Sequence, residues 1–144
     1  MKINFKKNLS FCKRLQLYKK IVENNENLLP IIIQVYKKCK LKLNKEKWLI
    51  DPEITISELL IKLREQTNVE INETIFIFNV EKKLLSTMDN MKDVYKNYKD
   101  DDGFLYLIIS LENTIQPIDT YNILDLILYS GKNFVNMLDF KYLK

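Results

Sequence analysis

The feature that most constrains the fold is an eight-residue apolar run, residues 104–111, in which Ser110 is the only polar residue. Three aspartates and a glycine, residues 100–103, precede it and are typical of a turn. Eight residues suit a strand and are short for a buried helix, and a strand that is apolar on both faces lies inside a sheet that is covered twice. We therefore expect residues 104–111 to be the central strand.

The composition is that of one ordinary globular domain. The chain has 144 residues, of which 47% are hydrophobic and 29% charged, which is enough apolar content for a core. It contains no histidine, and its two cysteines, Cys12 and Cys39, are far apart. The usual general base, the Ser-His and Cys-His nucleophiles and ordinary zinc sites therefore lack their residues. We expect no enzyme activity, no cofactor and no metal.

The hydropathy of the chain indicates its cellular location, and its charge distribution indicates the kind of partner it can bind. No apolar run approaches the roughly 20 residues of a transmembrane helix, and residues 1–11 lack the apolar region of a signal peptide, so we expect a cytoplasmic protein. The net charge is only +4, but residues 1–47 hold 13 Lys or Arg against 3 Asp or Glu. This predicts a basic face or end suited to an acidic partner or an anionic surface. No nucleic-acid-binding motif accompanies it, so we expect no nucleic acid.

The first third of the chain predicts a helix followed by a β-hairpin. Ser10 can cap a helix with one apolar stripe, made of Phe11, Leu15, Tyr18 and Val22. Arg14 falls off this stripe. Residues 28–33 then read as a β-branched strand entered through Pro30. A lysine-rich connection leads to the short apolar segment at residues 48–50, and two strands joined in this way predict a hairpin.

The rest of the chain predicts helices and strands in an order that indicates a fold. Thr55 and Glu58 fit a capping box before a helix, residues 75–78 fit a short strand, and Thr87 or Asp89 can cap a helix that leads into the central strand. Helix, hairpin, helix, strand, helix and central strand is the order of the ubiquitin-type β-grasp, an α+β fold. We divide the chain into an N-terminal helical extension, a β-grasp domain and an atypical tail with a predicted helix, at residues 1–24, 25–115 and 116–144.

Several pieces of this pattern resemble the autophagy ubiquitin-like modifiers, the family of GABARAP and the microtubule-associated light-chain proteins. The pieces are Phe11-x-x-Arg14, Leu29-Pro30-Ile31-Ile32, Lys47-Trp48-Leu49-Ile50, Thr55-Ile56, Leu63-Arg64 and residues 91–113, MKDVYKNYKDDDGFLYLIISLEN. The resemblance covers about residues 5–115, and the order and spacing of the pieces make it specific. It implies a β-grasp fold and a role in autophagy.

The resemblance also implies a peptide-binding module. The family binds short extended peptides of the form aromatic-x-x-aliphatic, carried by autophagy receptors and adaptors, along the edge of the second strand and in two apolar pockets. By position, the first pocket is lined by Ile21, Pro30, Ile32, Leu49 and Phe104, with Lys47 at its rim. The second pocket is lined by Trp48, Ile50, Ile54, Leu59 and Leu63.

The same residues admit plainer interpretations. The apolar ones would also be expected in the core of any β-grasp domain, and the lysines would also form an ordinary solvated surface. Leu17 stands where close relatives carry an acidic residue, and Lys62 stands beside the second pocket at a position that is usually apolar. The resemblance therefore leaves the peptide preference open.

The end of the resemblance departs from the family. Its members are attached to phosphatidylethanolamine through a C-terminal glycine, which brings them to the autophagosomal membrane. That position falls on Gln116 here, and 28 residues follow it. Because a side chain obstructs the channels of the processing and activating enzymes, we expect no lipid attachment at Gln116 and no standard use of the conjugation machinery.

The tail leaves several hypotheses open. Residues 121–128 can lie at a membrane interface in place of a lipid anchor, in a membrane-associated structural protein, or pack on the domain as a helix. Residues 121–124, Tyr-Asn-Ile-Leu, and residues 140–143 have the aromatic-x-x-aliphatic form and can occupy the peptide site of their own chain. A ubiquitin-like protein of the kind conjugated to protein is a further alternative.

Overall fold

A mixed four-stranded sheet organises residues 2–111, the part of the chain that the computed structural model describes. The strands are β1 (Leu29–Val35), β2 (Lys47–Ile50), β3 (Ile75–Asn79) and β4 (Leu105–Leu111). Their order across the sheet is β2-β1-β4-β3. β1 and β4 run parallel, while β2 and β3 pair antiparallel with their neighbours. This is the predicted β-grasp, including the predicted hairpin of β1 and β2.

β4 is the central strand, as its continuous apolar sequence predicted. It pairs with β1 on one side and with β3 on the other, and its residues are buried from Leu105 to Ser110. Side chains alternate along a strand, so β4 presents apolar residues to both layers that cover the sheet. One layer contacts Leu105, Leu107 and Ile109, and the other contacts Phe104 and Tyr106.

Two helices, α3 (Ile56–Glu65) and α4 (Met91–Tyr98), cover one face of the sheet. Thr55 and Glu58 form the predicted capping box at the start of α3. The apolar stripe of α3 is fully buried and joins the main core, through Ile56, Leu59 and Leu63.

The cap of α4 differs from the prediction. Asn90 is the N-cap, and its side-chain oxygen accepts a hydrogen bond from the N–H of Lys92. The backbone carbonyls of Thr87 and Asp89 instead accept hydrogen bonds from the first turn of α3. The segment before α4 is therefore held to a neighbouring helix, which a local capping pattern does not reveal.

Two further helices, α1 (Asn4–Asn8) and α2 (Phe11–Asn24), lie on the opposite face. Ser10 caps α2, as predicted. α1 has five residues and no side-chain cap, and so short a helix depends on packing for its stability. That packing is supplied by Phe5, whose ring lies edge-on to Phe104 with 5.3 Å between centroids.

The buried side chain of α2 is Arg14, which the apolar stripe excluded, whereas Phe11 on that stripe is 44% exposed. Arg14 Nε lies 3.3 Å from Oδ2 of Asp102, a carboxylate with no exposed surface. That carboxylate also accepts hydrogen bonds from the Tyr106 hydroxyl and the N–H of Phe104. A charge is tolerated in a core only when it is paired, so this cluster fixes α2 against the start of β4.

The residue next to this cluster has to be glycine. Gly103 has a φ of +96°, which side chains rarely allow, and a Cβ there would lie 2.4 Å from the ring of Tyr18. The Tyr18 ring packs edge-on against Phe104, with centroids 5.9 Å apart. Gly103 therefore allows α2 to approach the turn before β4 closely.

The predicted tail helix lies outside the described residues. Within residues 2–111, no helix has the length and apolar character needed to cross a membrane.

We expect Asp102→Ala to lower the free energy of unfolding by about 3–5 kcal/mol, because it leaves the charge of Arg14 and the hydroxyl of Tyr106 buried without this partner. Asp101→Ala is the matched control. It removes an exposed carboxylate one position away, and should change the same quantity by no more than about 0.5 kcal/mol. Denaturant unfolding measures both. Equally small losses in the two variants would contradict a structural role for the buried pair.

Candidate functional site

A cavity of about 240 Å³ opens between the N-terminal helices and the β1–β2 hairpin. In another protein, an apolar cavity of about 150 Å³ holds a benzene molecule, so this one has room for an aromatic side chain. Its lining brings together all six residues predicted for the first pocket and its rim: Ile21, Pro30, Ile32, Lys47, Leu49 and Phe104.

β2 divides the predicted site residues between the two faces of the sheet. Its side chains alternate, so Lys47 and Leu49 are exposed on the side of the cavity while Trp48 and Ile50 are buried. Leu49 is 41% exposed. A half-exposed leucine at the mouth of an apolar cavity is surface that a bound molecule would cover.

The five residues predicted for the second pocket lie together in and beside the core. Four of them are 0–6% exposed, namely Trp48, Ile50, Leu59 and Leu63. Ile54 is half-buried and packs against this core. A core role therefore accounts for most of the set, and the second pocket stays a prediction in which Ile54 is the most accessible member.

The cavity also has lining residues that were not predicted. Phe5, Leu17, Asn25 and Ile31 all border it, and so does Trp48, which was predicted for the second pocket. Leu17 and Asn25 stand four residues before and after Ile21, so a search along that face of α2 would have found them. Phe5 gave no such signal, because α1 has no recognisable pattern of its own.

The mouth of the cavity is positively charged and lies beside an edge strand of the described sheet. Among the described strands, β2 pairs with β1 alone. Lys45 and Lys47 are exposed at this edge, with the Lys47 ammonium 5.9 Å from the Phe5 ring centroid. Among residues 2–111, no acidic side chain lines the cavity. An edge strand presents unpaired N–H and C=O groups that a second extended chain can bind.

Comparison with known proteins shows the family to which this chain is related. Residues 13–116 match the family model described as "Autophagy protein Atg8 ubiquitin like". The chain belongs to the Atg8 family. Proteins of this family are generally modifiers and not enzymes, and they interact with autophagy receptors and with a conjugation machinery.

The likeness to Atg8 proteins extends over most of their length. Autophagy-related protein 8 of Candida glabrata is 34% identical over 115 residues, covering 79% of this chain and 97% of that protein. Autophagy-related protein 8e of Arabidopsis thaliana is 32% identical over 111 residues, covering 76% and 90%. The crystal structure of Trypanosoma brucei ATG8 has a TM-score of 0.74 at 27% identity, covering 78% and 97%.

In this Atg8 chain, polar contacts hold α1 in place, and Phe5 on this helix lines the cavity. The Asn4 N–H donates to Gln34 Oε1 at 2.8 Å, and Gln34 Nε2 donates to the carbonyl of Lys2. Lys6 forms an ion pair with Asp100 in the turn before β4. Burial alone would raise the pKa of Asp100, but the hydrogen bonds from Lys6 and from the N–H of Asp102 outweigh it and lower this pKa below its usual value.

Stability should depend on the ionisation of Asp100. A carboxyl whose pKa is lower in the folded than in the unfolded state stabilises the fold above its unfolded pKa, and this contribution is lost as the pH falls through the folded pKa. We therefore expect Asp100→Asn to be less stable than wild type at about pH 6, with the difference shrinking as the pH falls below about 4. Denaturant unfolding across this range measures it, with Asp101→Asn as the control. A difference that does not change with pH would contradict the assignment.

Proposed function

We propose that this chain is an Atg8-type autophagy protein that binds short aromatic-x-x-aliphatic peptides of receptors and adaptors along the free edge of β2. The observation that carries the proposal is the apolar cavity beside that edge, with Lys47 at its mouth. The peptide adds a strand to β2, so its main chain supplies hydrogen bonds while its aromatic side chain enters the cavity. The site of action is the cytoplasm and the surface of autophagosomal membranes.

The spacing of the peptide motif fits the alternation of β2. In an extended peptide the first and fourth side chains point to opposite faces. The first therefore enters the cavity beside Lys47 and Leu49, and the fourth reaches the other face of the hairpin, where Ile54 packs against the core. One bound peptide then contacts both predicted pockets, which lie on opposite faces of the hairpin.

The lysines favour peptides with acidic residues before the aromatic one. Lys45 and Lys47 flank the start of β2, and the lysine-rich connection before it adds to the positive field. Such exposed charges speed association and orient the ligand, and their contribution weakens with salt.

We expect Lys47→Glu to weaken binding of an acidic aromatic-x-x-leucine peptide by about fivefold at low salt, since one exposed charge pair contributes up to about 1 kcal/mol. Lys96→Glu makes the same charge change on α4, which covers the other face of the sheet, and should leave the affinity close to wild type. Calorimetry gives the affinities, and thermal melts check the folding of both variants. Equal affinities for wild type and Lys47→Glu would refute this role of Lys47.

Lipid attachment is the second part of the proposal. The match to the family model ends at Gln116, and a glutamine side chain there blocks attachment through a terminal glycine. In cells that express the family's conjugating enzymes, we expect no fast-migrating, phospholipase-sensitive form of the wild-type protein. Gln116→Gly with residues 117–144 removed is the positive control and should yield that form. A lipid-bearing wild-type band would show this part of the proposal to be wrong.

A further inference from the structure

The wall that α2 contributes to the cavity is apolar at one end and polar at the other. It is formed by Leu17 and Ile21, which are four residues apart on one helix face, and by Asn25, the C-cap residue that follows the helix. The Leu17 side chain is half-buried and carries no polar atom.

Few side chains of the lining, as far as residues 2–111 form it, can accept a hydrogen bond. Its other members besides Asn25 are apolar, except Lys47, and an ammonium group only donates. Asn25 is held at the C-terminal end of α2, where its Nδ2 donates to the carbonyl of Ile21 at 2.9 Å. The part of the wall formed by Leu17 therefore offers no side-chain acceptor.

The lack of a side-chain acceptor at Leu17 affects which aromatic residue binds best in the cavity. A phenylalanine ring has no polar atom, whereas the indole N–H of tryptophan is a donor that needs an acceptor when it is buried. A buried donor left unpaired loses the hydrogen bond it made to water. We propose that Leu17 makes the cavity select phenylalanine over tryptophan as the anchor of the bound peptide. This inference rests on the peptide-binding function proposed above.

The test compares three synthetic peptides that differ only in the anchor: phenylalanine, tryptophan and benzothienylalanine. Benzothienylalanine keeps the bicyclic shape of tryptophan but replaces the N–H by sulfur, so differences in size cancel between these two. For the full-length wild-type protein, we expect the benzothienylalanine peptide to bind on the order of tenfold more tightly than the tryptophan peptide. The phenylalanine peptide should also bind more tightly than the tryptophan peptide. Calorimetry gives all three dissociation constants.

Two variants of the same residue assign the preference to Leu17. Leu17→Glu places an acceptor in the wall and should shift the benzothienylalanine-to-tryptophan affinity ratio towards tryptophan by about tenfold. Leu17→Ile changes the shape of the side chain without adding any acceptor atom and should keep the wild-type ratio. Thermal melts establish that both variants are folded, and the ratio between two peptides is insensitive to a uniform loss of affinity.

The outcomes separate the two proposals. Equal binding of tryptophan and benzothienylalanine by wild type would overturn the selectivity while leaving peptide binding intact. An unchanged ratio in Leu17→Glu would overturn the role of Leu17. Failure of all three peptides to bind wild type would overturn the proposed function, and this inference with it.

Discussion

A single buried carboxylate connects the parts of this fold that make the site. Asp102 has no exposed surface, yet it lies against the Arg14 guanidinium and accepts hydrogen bonds from Tyr106 and from the backbone of Phe104. An isolated charge in that position would cost several kcal/mol, so its partners have to stay in place. One partner is on α2 and another is on β4. The distance between helix and sheet, and with it the width of the cavity, depends on this contact.

The cavity follows from two further constraints. Gly103 lets the Tyr18 ring approach the turn before β4, which seats α2 over Phe104 at the floor of the cavity. Side chains alternate along β2, so Leu49 is exposed at the cavity mouth and Trp48 is buried in the core. Trp48 is anchored there, because its indole N–H donates to the Lys45 carbonyl at 2.6 Å. The candidate binding surface is thus the outward face of a strand whose inward face supports the core.

Much of the fold could be predicted because its signals are local. The apolar run of β4, the capping box at Thr55 and the Ser10 cap each depend on neighbouring residues, and the structure has all three. The features that were missed depend on distant partners. Arg14 is buried because Asp102, 88 positions later in the sequence, neutralises it. α1 is helical because Phe5 packs on Phe104.

The candidate site, like the fold, could be predicted only in part. Family resemblance named the six residues of the first pocket, and the structure places them around one cavity. The resemblance also implied a second pocket, which includes Leu59 and Leu63. The burial of these residues equally suits a role in the core. Residue type cannot separate these two roles, because a core and a peptide pocket both need apolar side chains.

The most direct test of this account is an amide NMR titration of the labelled protein with an acidic phenylalanine-x-x-leucine peptide. We expect the largest shift changes on β2 and on the end of α2 from Leu17 onwards, while the opposite edge of the sheet, β3, changes little. Changes concentrated on β3, or confined to the lysine-rich connection before β2, would contradict it.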